Sequence, residues 1–518
     1  MRKLCRIIFS RYFISAVLIL AEIALIFYLL FAAYEYSFLA LTIITAINAV
    51  ALITLVNRNA NPEYKVSWLV IIMLIPPFGA ALYAMFYSRR MSRAEVRRMQ
   101  KIKENLDTHP TVSDNIVHEI DESFRSLSER SSLARGKAHA IMNDDLLARL
   151  YTNTASKYFE SGEEMYAAML SDISQAKRYI FLEYFIIEIG EMWNNILALL
   201  EKKVNEGVEV RLIYDDIGCM RSLPSRYDKR LSQKGIKCVR SAPVSPRIST
   251  THNNRNHRKI LVVDGLVAYT GGINIADEYI NRKKRFGHWK DGGVRIFGDA
   301  VAGLLKLFVA SWDLLAGKLT DISTYMPDAP ENIGDGGFYL PFGSGPSPTY
   351  ARPVGKNAIM NVINQAQEYV YITTPYLVID YDLTEALRNA AQRGVDVRII
   401  TPAIPDKRLV KVMTKSAYPH LIEAGVLIYE YTPGFIHEKC IVSDDVYAII
   451  GTINLDYRSL AHHYENAVWI YGAPTVLDAK HGFLRTVDAS ELMNDKNERL
   501  SLFEWMLRNL MRIFAPLL

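Results

Sequence analysis

The chain has 518 residues, a formal net charge of +5 and 50% hydrophobic residues. That length holds more than one domain, and so small a basic excess does not argue for a nucleic-acid partner. Its four cysteines, Cys5, Cys219, Cys238 and Cys440, have no framework spacing, which points to a reduced, disulfide-free protein.

Two apolar stretches open the chain, Phe13 to Tyr34 and Phe38 to Val56, each long enough to cross a bilayer. The first is too long for a signal-peptide core and is followed at once by the second, which excludes a cleaved leader. A third stretch, Ser67 to Tyr87, is interrupted by Pro76, Pro77 and Gly79, and proline disfavours a straight helix there. Arg2, Lys3, Arg6 and Arg11 place the N-terminus in the cytoplasm, and the run SRRMSRAEVRRMQKIK, with seven basic residues, also belongs there. Both hold if the anchor, residues 1–88, has two spans and a re-entrant or interfacial third segment. The basic run serves equally as a stop-transfer flank or as a site for anionic headgroups, at about 1 kcal/mol per charge. Glu22 sits near the centre of the first span, where a helix contact, with Asn48 for example, fits it better than catalysis.

Residues 89–145 read as a basic, polar linker, with little periodicity from Glu104 to Asp145. Two similar halves follow, 146–338 and 339–518. QAKRYIFLEYFII (175–187) is echoed by QAQEYVYITTPYLVI (365–379), and GVEVRLIYDD (207–216) by GVDVRIITPA (394–403). Each echo is a helix end followed by a β-branched run, the pattern of α/β units. The Gly- and Pro-rich segment from Met326 to Pro353 separates the halves. Glu183, Tyr184, Thr374, Pro375 and Tyr376 fall at strand ends, suited to lining a channel or to edge packing. Asp215-Asp216 reads as a strand-to-loop turn. The C-terminal LSLFEWMLRNLMRIFAPLL reads as an amphipathic helix that packs on the second half or lies in a membrane interface.

Within these halves a motif is doubled. His257-x-Lys259-x₄-Asp264 recurs as His437-x-Lys439-x₄-Asp444, and Gly271-Gly272-Ile273-Asn274 recurs as Gly451-Thr452-Ile453-Asn454, all at an offset of 180 residues. Both copies read as strands that place each His and its Lys on one face. Two imidazoles, two ammoniums and two Asn amides converging on one site suit phosphodiester chemistry. Lysines and amides hold non-bridging oxygens, one His attacks phosphorus, and the other protonates the leaving alkoxide. A metal centre competes for clustered His and Asp, but Lys is a poor ligand and no His-x₃-His or Cys-x₂-Cys spacing occurs.

The paired motifs resemble the phospholipase D superfamily. The strings NNRNHRKILVVDG, GGINIADEY, HWKDGGVRI, TPYLVID, YTPGFIHEK and GTINLDYRS, with the N-terminal anchor, are similar to the bacterial cardiolipin synthases. The resemblance implies transmembrane helices followed by two α/β/α sandwich halves related by a pseudo-two-fold, with the active site at their interface. It implies that His257 is the nucleophile and becomes a phosphohistidine, and that His437 is the general acid and base. It implies that Glu465 and Asp291 orient histidines, and that Asn274 and Asn454 support the phosphate. Asp264 and Asp444 belong to the motif as supporting residues. Thr452 stands where Ser is common and keeps the hydroxyl, and Cys440 points away from the site.

The reaction implied is transfer of a phosphatidyl group between two phosphatidylglycerols, giving cardiolipin and glycerol without metal or other cofactor. The expected setting is the bacterial cell membrane, multi-pass, with phospholipid partners, no nucleic acid and a cytoplasmic catalytic region. A hydrolase or headgroup transphosphatidylase acting on other phospholipids fits the same motifs, and two intact histidines argue against a silent scaffold. Lipid preference and oligomeric state are not legible in the sequence.

Overall fold

A computed structural model describes residues 37–58, 60–86, 93–107, 114–242, 254–326, 329–494 and 502–517, with Val17, Leu20, Ala21, Ala24 and Tyr28 besides. It divides into two units, one holding the first 91 residues with the C-terminal helix, the other holding 92–243 and 254–501.

In the first unit Ser37–Val56 is a helix with no charged residue, and Phe38–Val56 is long and apolar enough to cross a membrane. It is the one such helix among the described residues. The stretch from Phe13 to Tyr34, with Glu22, lies almost wholly outside the described residues, as do Arg2, Lys3, Arg6 and Arg11. The third apolar stretch is two shorter helices, Pro62–Leu74 and Phe78–Phe86, broken at the prolines. The C-terminal helix Leu502–Phe514 packs against the first of these, and Ser67 Oγ donates to the Ile513 carbonyl at 2.6 Å. Of the two expected placements, packing on the second half is thereby corrected, and a position beside the anchor is the one observed.

The second unit begins with a further correction. The segment read as a linker is three helices, Arg93–Asp107, Asp114–Arg130 and Ser132–Asp144. Met99, Ile102 and Leu106 in the first helix and Ala134, Ala138 and Ile141 in the third are buried at spacings of three or four, with Leu127 buried in the second, so high polarity hid a narrow apolar stripe. Of the basic run, Lys103 is turned inward and Arg98, though exposed, is tied to the fold. Lys103 Nζ lies 3.8 Å from the Tyr350 ring centroid and 3.9 Å from Asp145, and Arg98 donates to the Asp313 carbonyl.

The first sheet is built from β1 (Thr154–Phe159), β2 (Tyr179–Tyr184), β3 (Glu209–Asp215), β4 (Lys237–Ser241), β5 (Lys259–Val263), β6 (Val267–Gly271) and β8 (Gly293–Gly298). A short strand, β7 (His288–Lys290), stands outside it. Its order is β1-β8-β6-β5-β2-β3-β4, with β2, β3 and β4 parallel and the remaining pairs antiparallel.

The second half supplies β9 (Phe338–Ser344), β10 (Tyr369–Thr373), β11 (Leu377–Val378), β12 (Asp396–Pro402), β13 (Leu427–Tyr431), β14 (Gly434–Ile436), β15 (Cys440–Ser443), β16 (Tyr447–Gly451), β17 (Leu455–Asp456), β18 (Glu465–Tyr471) and β19 (Ser490–Leu492). The second sheet runs β9-β18-β16-β15-β10-β12-β13, the same order and sense, with β19 added at the edge. The Gly- and Pro-rich segment from Met326 to Pro353 therefore contains β9, a strand of the second sheet.

One core joins the sheets. Phe181, Ile260 and Val262 of the first and Tyr371, Ile400 and Val442 of the second pack with the helix Val301–Ala316, twelve of whose sixteen residues are buried. Cys440 lies in this core, 5% exposed.

Asp264 and Asp444 explain their place in the motif. Each follows the last residue of its strand with φ 54°, a left-handed conformation that Asp tolerates. The Asp264 carboxylate accepts from the backbone N–H of Lys177, Arg178 and Tyr179 at 2.7–2.9 Å. Asp444 does the same for Gln367, Glu368 and Tyr369 at 2.9–3.1 Å. Both sit at the strand end remote from the motif His and pin the start of the neighbouring antiparallel strand, β2 or β10. Replacing either by Ala is expected to lower unfolding stability by about 1–3 kcal/mol, read as a lower midpoint in detergent, with a phosphate analogue still bound by the folded fraction.

Candidate active site

β7 and β14 form a two-stranded parallel ribbon between the halves, pairing His288 with Gly434, Trp289 with Phe435 and Lys290 with Ile436. One residue further on, the His437 N–H donates to the Lys290 carbonyl at 2.8 Å, and Asp291 Oδ2 lies 2.8 Å from His437 Nδ1. The other histidine is held the same way. Asn256 bridges Tyr464 in parallel, the His257 N–H donates to the Tyr464 carbonyl at 2.9 Å, and Glu465 lies 2.9 Å from His257 Nδ1. Each motif histidine thus takes both its main-chain partner and its carboxylate from the opposite half.

This corrects the expectation that the motifs are strands from the histidine onward. β5 and β15 begin at Lys259 and Cys440, because the backbone at His257 and His437 bonds across the halves and leaves the sheet ladder. Each lysine folds back, Lys259 Nζ onto the His257 carbonyl at 2.8 Å and Lys439 Nζ onto that of His437. All four side chains are buried. Gly272 is required beside them: a Cβ there would lie 2.0 Å from Asp291 Oδ1 and 2.6 Å from the His437 carbonyl oxygen.

Asn274 and Asn454 are not equivalent. The Asn274 amide accepts from the Ile186 N–H at 3.0 Å and donates to the Tyr279 hydroxyl at 2.6 Å. Asn454 keeps a buried Oδ1 without a partner among the described residues. Of the strand-end residues, Glu183 is fully buried and accepts from Asn256 Nδ2 at 2.5 Å, which steadies the chain before His257. Asp215 accepts from the N–H groups of Ile217 and Gly218, a turn as expected.

Sequence reasoning missed the groups around Glu465. The hydroxyls of Thr452 and Ser459 both donate to it, and His463 Nδ1 lies 3.6 Å away. His257, His463 and Glu465 offer ligand atoms within 4.8 Å of one another, a donor set that would suit a cation. The carboxylate lone pairs are already taken by two hydroxyls and the His257 ring, so the group acts as a hydrogen-bonded brace. It also missed the rings at the histidines: Phe185 beside His257, and Tyr279, Trp289 and Phe435 around His437.

Burial dominates the electrostatics. It pushes His257 down to about 3 against the pull of Glu465. It drives His437 well below its usual value, helped by Lys439, Lys259 and Lys407. Lys259 falls to about 7 and Lys439 to about 8 for the same reason, each opposed first by a carboxylate, Glu465 and Asp291 respectively. The two acids diverge. Burial raises Asp291 to about 6 despite Lys439, whereas Glu465 is held well below the carboxylate range because His257, and beside it His463, outweigh burial. At rest His257 is a neutral imidazole whose Nδ1 faces a carboxylate, leaving the Nε2 lone pair for an electrophile.

Two imidazoles, two lysines and two carboxylates braced across paired sheets define a phospholipase D-like site, and the comparisons agree. Residues 169–285 and 359–486 match the family described as cardiolipin synthase, PLD-like domain, and residues 46–86 match phospholipase D-nuclease N-terminal. A cardiolipin synthase of Halalkalibacterium halodurans is 33% identical, over 89% of this chain and 90% of its own length. An uncharacterised protein of Streptococcus mutans is 38% identical, over 90% and 98%. The crystal structure of a phosphatidylserine synthase of Haemophilus influenzae shares the fold, with a TM-score of 0.54 and 17% identity over 74% of this chain and 98% of its own. The chain belongs to the cardiolipin synthase family.

A phosphate anion placed among these groups favours the charged form of every lowered base. Binding of inorganic phosphate or vanadate at pH 7 is therefore expected to take up about one proton, read by calorimetry in two buffers of different ionisation enthalpy. Proton release on binding would contradict the assignment of neutral histidines at rest.

Proposed function

We propose that this protein joins two phosphatidylglycerols into cardiolipin and releases glycerol, through a phosphohistidine on His257. The observation that carries this reading is the reciprocal pairing of each histidine with a carboxylate of the other half, beside two buried lysines. His257 Nε2 attacks phosphorus, and a P–N bond forms as the bond to glycerol oxygen breaks. His437 gives its proton to the departing alkoxide, then takes one from the glycerol hydroxyl of the second lipid as that oxygen displaces His257. Substrate anion raises His437 into its charged form, and Asp291, near 6, is matched to share that proton. Glu465, firmly ionised, holds the His257 tautomer. Lys259, Lys439 and the amides of Asn454 and Asn274 hold the non-bridging oxygens. A phosphodiester is exchanged for a phosphodiester, so the donors present need no nucleotide.

Matched strand orders and the reciprocal pairs support two sandwich halves about a pseudo-two-fold, with divisions near 88, 145 and 338. The apolar helix Ser37–Val56 and the broken segment after it support a multi-pass anchor of two spans and a re-entrant third segment, in a bacterial cell membrane with the catalytic region in the cytoplasm. Labelling of Lys101→Cys by an impermeant thiol reagent in intact cells would overturn that topology. Lys101 is the residue to use, because Lys103 is buried.

The deciding experiment is mass spectrometry of products from phosphatidylglycerol vesicles without added metal or nucleotide. Cardiolipin with equimolar glycerol is expected, whereas phosphatidic acid alone would establish the hydrolase. His257→Ala and His437→Ala are each expected to reduce turnover by about a thousandfold or more, with trapped phosphate on His257. The roles separate with a phosphatidyl ester of p-nitrophenol, whose leaving group needs no acid. His437→Ala and Asp291→Asn should regain the nitrophenolate burst, and Glu465→Gln should not.

A further inference from the structure

The halves pair alike, yet equivalent positions around the two histidines carry opposite chemistry. Two residues before His257 stands Arg255, and two before its carboxylate Glu465 stands His463. The corresponding positions around His437 and Asp291 hold Phe435 and Trp289, directly opposed in the parallel ribbon. The surroundings of the nucleophile are therefore mixed: the His463 ring is 5.5 Å and the single aromatic ring of Phe185 5.1 Å from that of His257, and Arg255 Nη1 lies 3.9 Å from Asp215. Around His437 the wall is aromatic. Tyr279, Trp289 and Phe435 lie 5.6, 5.7 and 5.8 Å from its ring, and Trp289 packs at 4.8 Å against both other rings. Their exposures are 3%, 6% and 1%, and Phe286 and Tyr376 back Phe435 from outside.

The geometry of displacement gives this asymmetry its meaning. The oxygen that breaks the P–N bond approaches opposite His257, which is the His437 side. Two nucleophiles compete there. A water molecule is held in place only by two to four polar partners, and the three rings offer just the Trp289 indole N–H, without a partner among the described residues, and the Tyr279 hydroxyl, already bonded to Asn274. A lipid glycerol with its hydrocarbon body gains from contact with the same rings. In either case the attacking oxygen bonds to phosphorus, the P–N bond breaks, and His437 receives the proton. The product is phosphatidic acid from water and cardiolipin from the lipid.

We propose that Phe435 and Trp289, with Tyr279, form an acceptor compartment that commits the phosphohistidine to a lipid hydroxyl in preference to water. This rests on the transferase reading and adds to it the residues that decide transfer over hydrolysis. Neither ring is a proton carrier, so their effect falls on product partition.

The test uses the full chain in phosphatidylglycerol vesicles in ¹⁸O-water, with the ratio of labelled phosphatidic acid to cardiolipin taken on a single sample, so that the folded fraction cancels. Trp289→His, which installs the residue that stands at the equivalent position before Glu465, and Phe435→Leu, which opens the wall with little loss of volume, are each expected to raise that ratio by about tenfold or more. Trp289→Phe keeps the wall without the indole N–H and should partition as the parent does. Parent-like ratios in both Trp289→His and Phe435→Leu would overturn the proposal. So would a rise in Trp289→Phe equal to that in Trp289→His, because the effect would then belong to the N–H. If Trp289→His fails to fold, Phe435→Leu decides alone. A parent protein that makes no cardiolipin would instead overturn the transferase reading, before the variants are compared.

Discussion

The hydrogen bond from each histidine Nδ1 to a carboxylate of the opposite half is the interaction on which the site depends. A half on its own has a His-Lys motif but lacks the acid that fixes the tautomer and the main-chain acceptor that holds the residue clear of its strand. Both come together, since the parallel pairing that seats the backbone of His257 beside Tyr464 delivers Glu465, and the ribbon that seats His437 beside Lys290 delivers Asp291. The shared core around Val301–Ala316 keeps these pairs in register. An error of one residue in either pairing would replace a carboxylate by a tyrosine or a lysine.

Within that frame the two sides are tuned apart. Glu465 receives hydroxyl protons from Thr452 and Ser459 as well as the His257 ring, so its negative charge is well satisfied despite complete burial. Among the described residues Asp291 has the Gly292 N–H at 2.9 Å and the His437 ring as its hydrogen-bond donors, and burial prevails. Carboxylates with environments that push their proton affinities in opposite directions serve different roles. One suits a fixed charge behind a nucleophile, the other a proton-sharing partner behind an acid and base. Lys259 and Lys439 are held close to neutrality by burial, so an arriving phosphodiester meets cations that its own charge completes.

The strand echoes and the doubled motif made the repeated α/β halves and the site's chemistry legible from sequence. Other parts were hidden for identifiable reasons. The helices from Arg93 to Asp144 carry apolar residues in so thin a stripe that charge masked the period. The packing of Leu502–Phe514 on Pro62–Leu74 joins segments from opposite ends of the chain, which no local pattern reports. Thr452 and Ser459 were visible as residues, but their hydroxyls acquire a purpose only once Glu465 is seen beside them.

By itself, then, the sequence determined the α/β units of the two halves, their repeat and the identities of the reacting groups, because periodicity, turn chemistry and spacing act over a few residues. It named His257, His437, Asp291 and Glu465 without saying which acid serves which base. Tertiary structure alone decided that pairing, the inward fold of Lys259 and Lys439, and the contrast of Arg255 and His463 with Phe435 and Trp289. Each of these depends on which backbone lies across the interface, and on the burial that follows, both of which exist only after the two sheets have met.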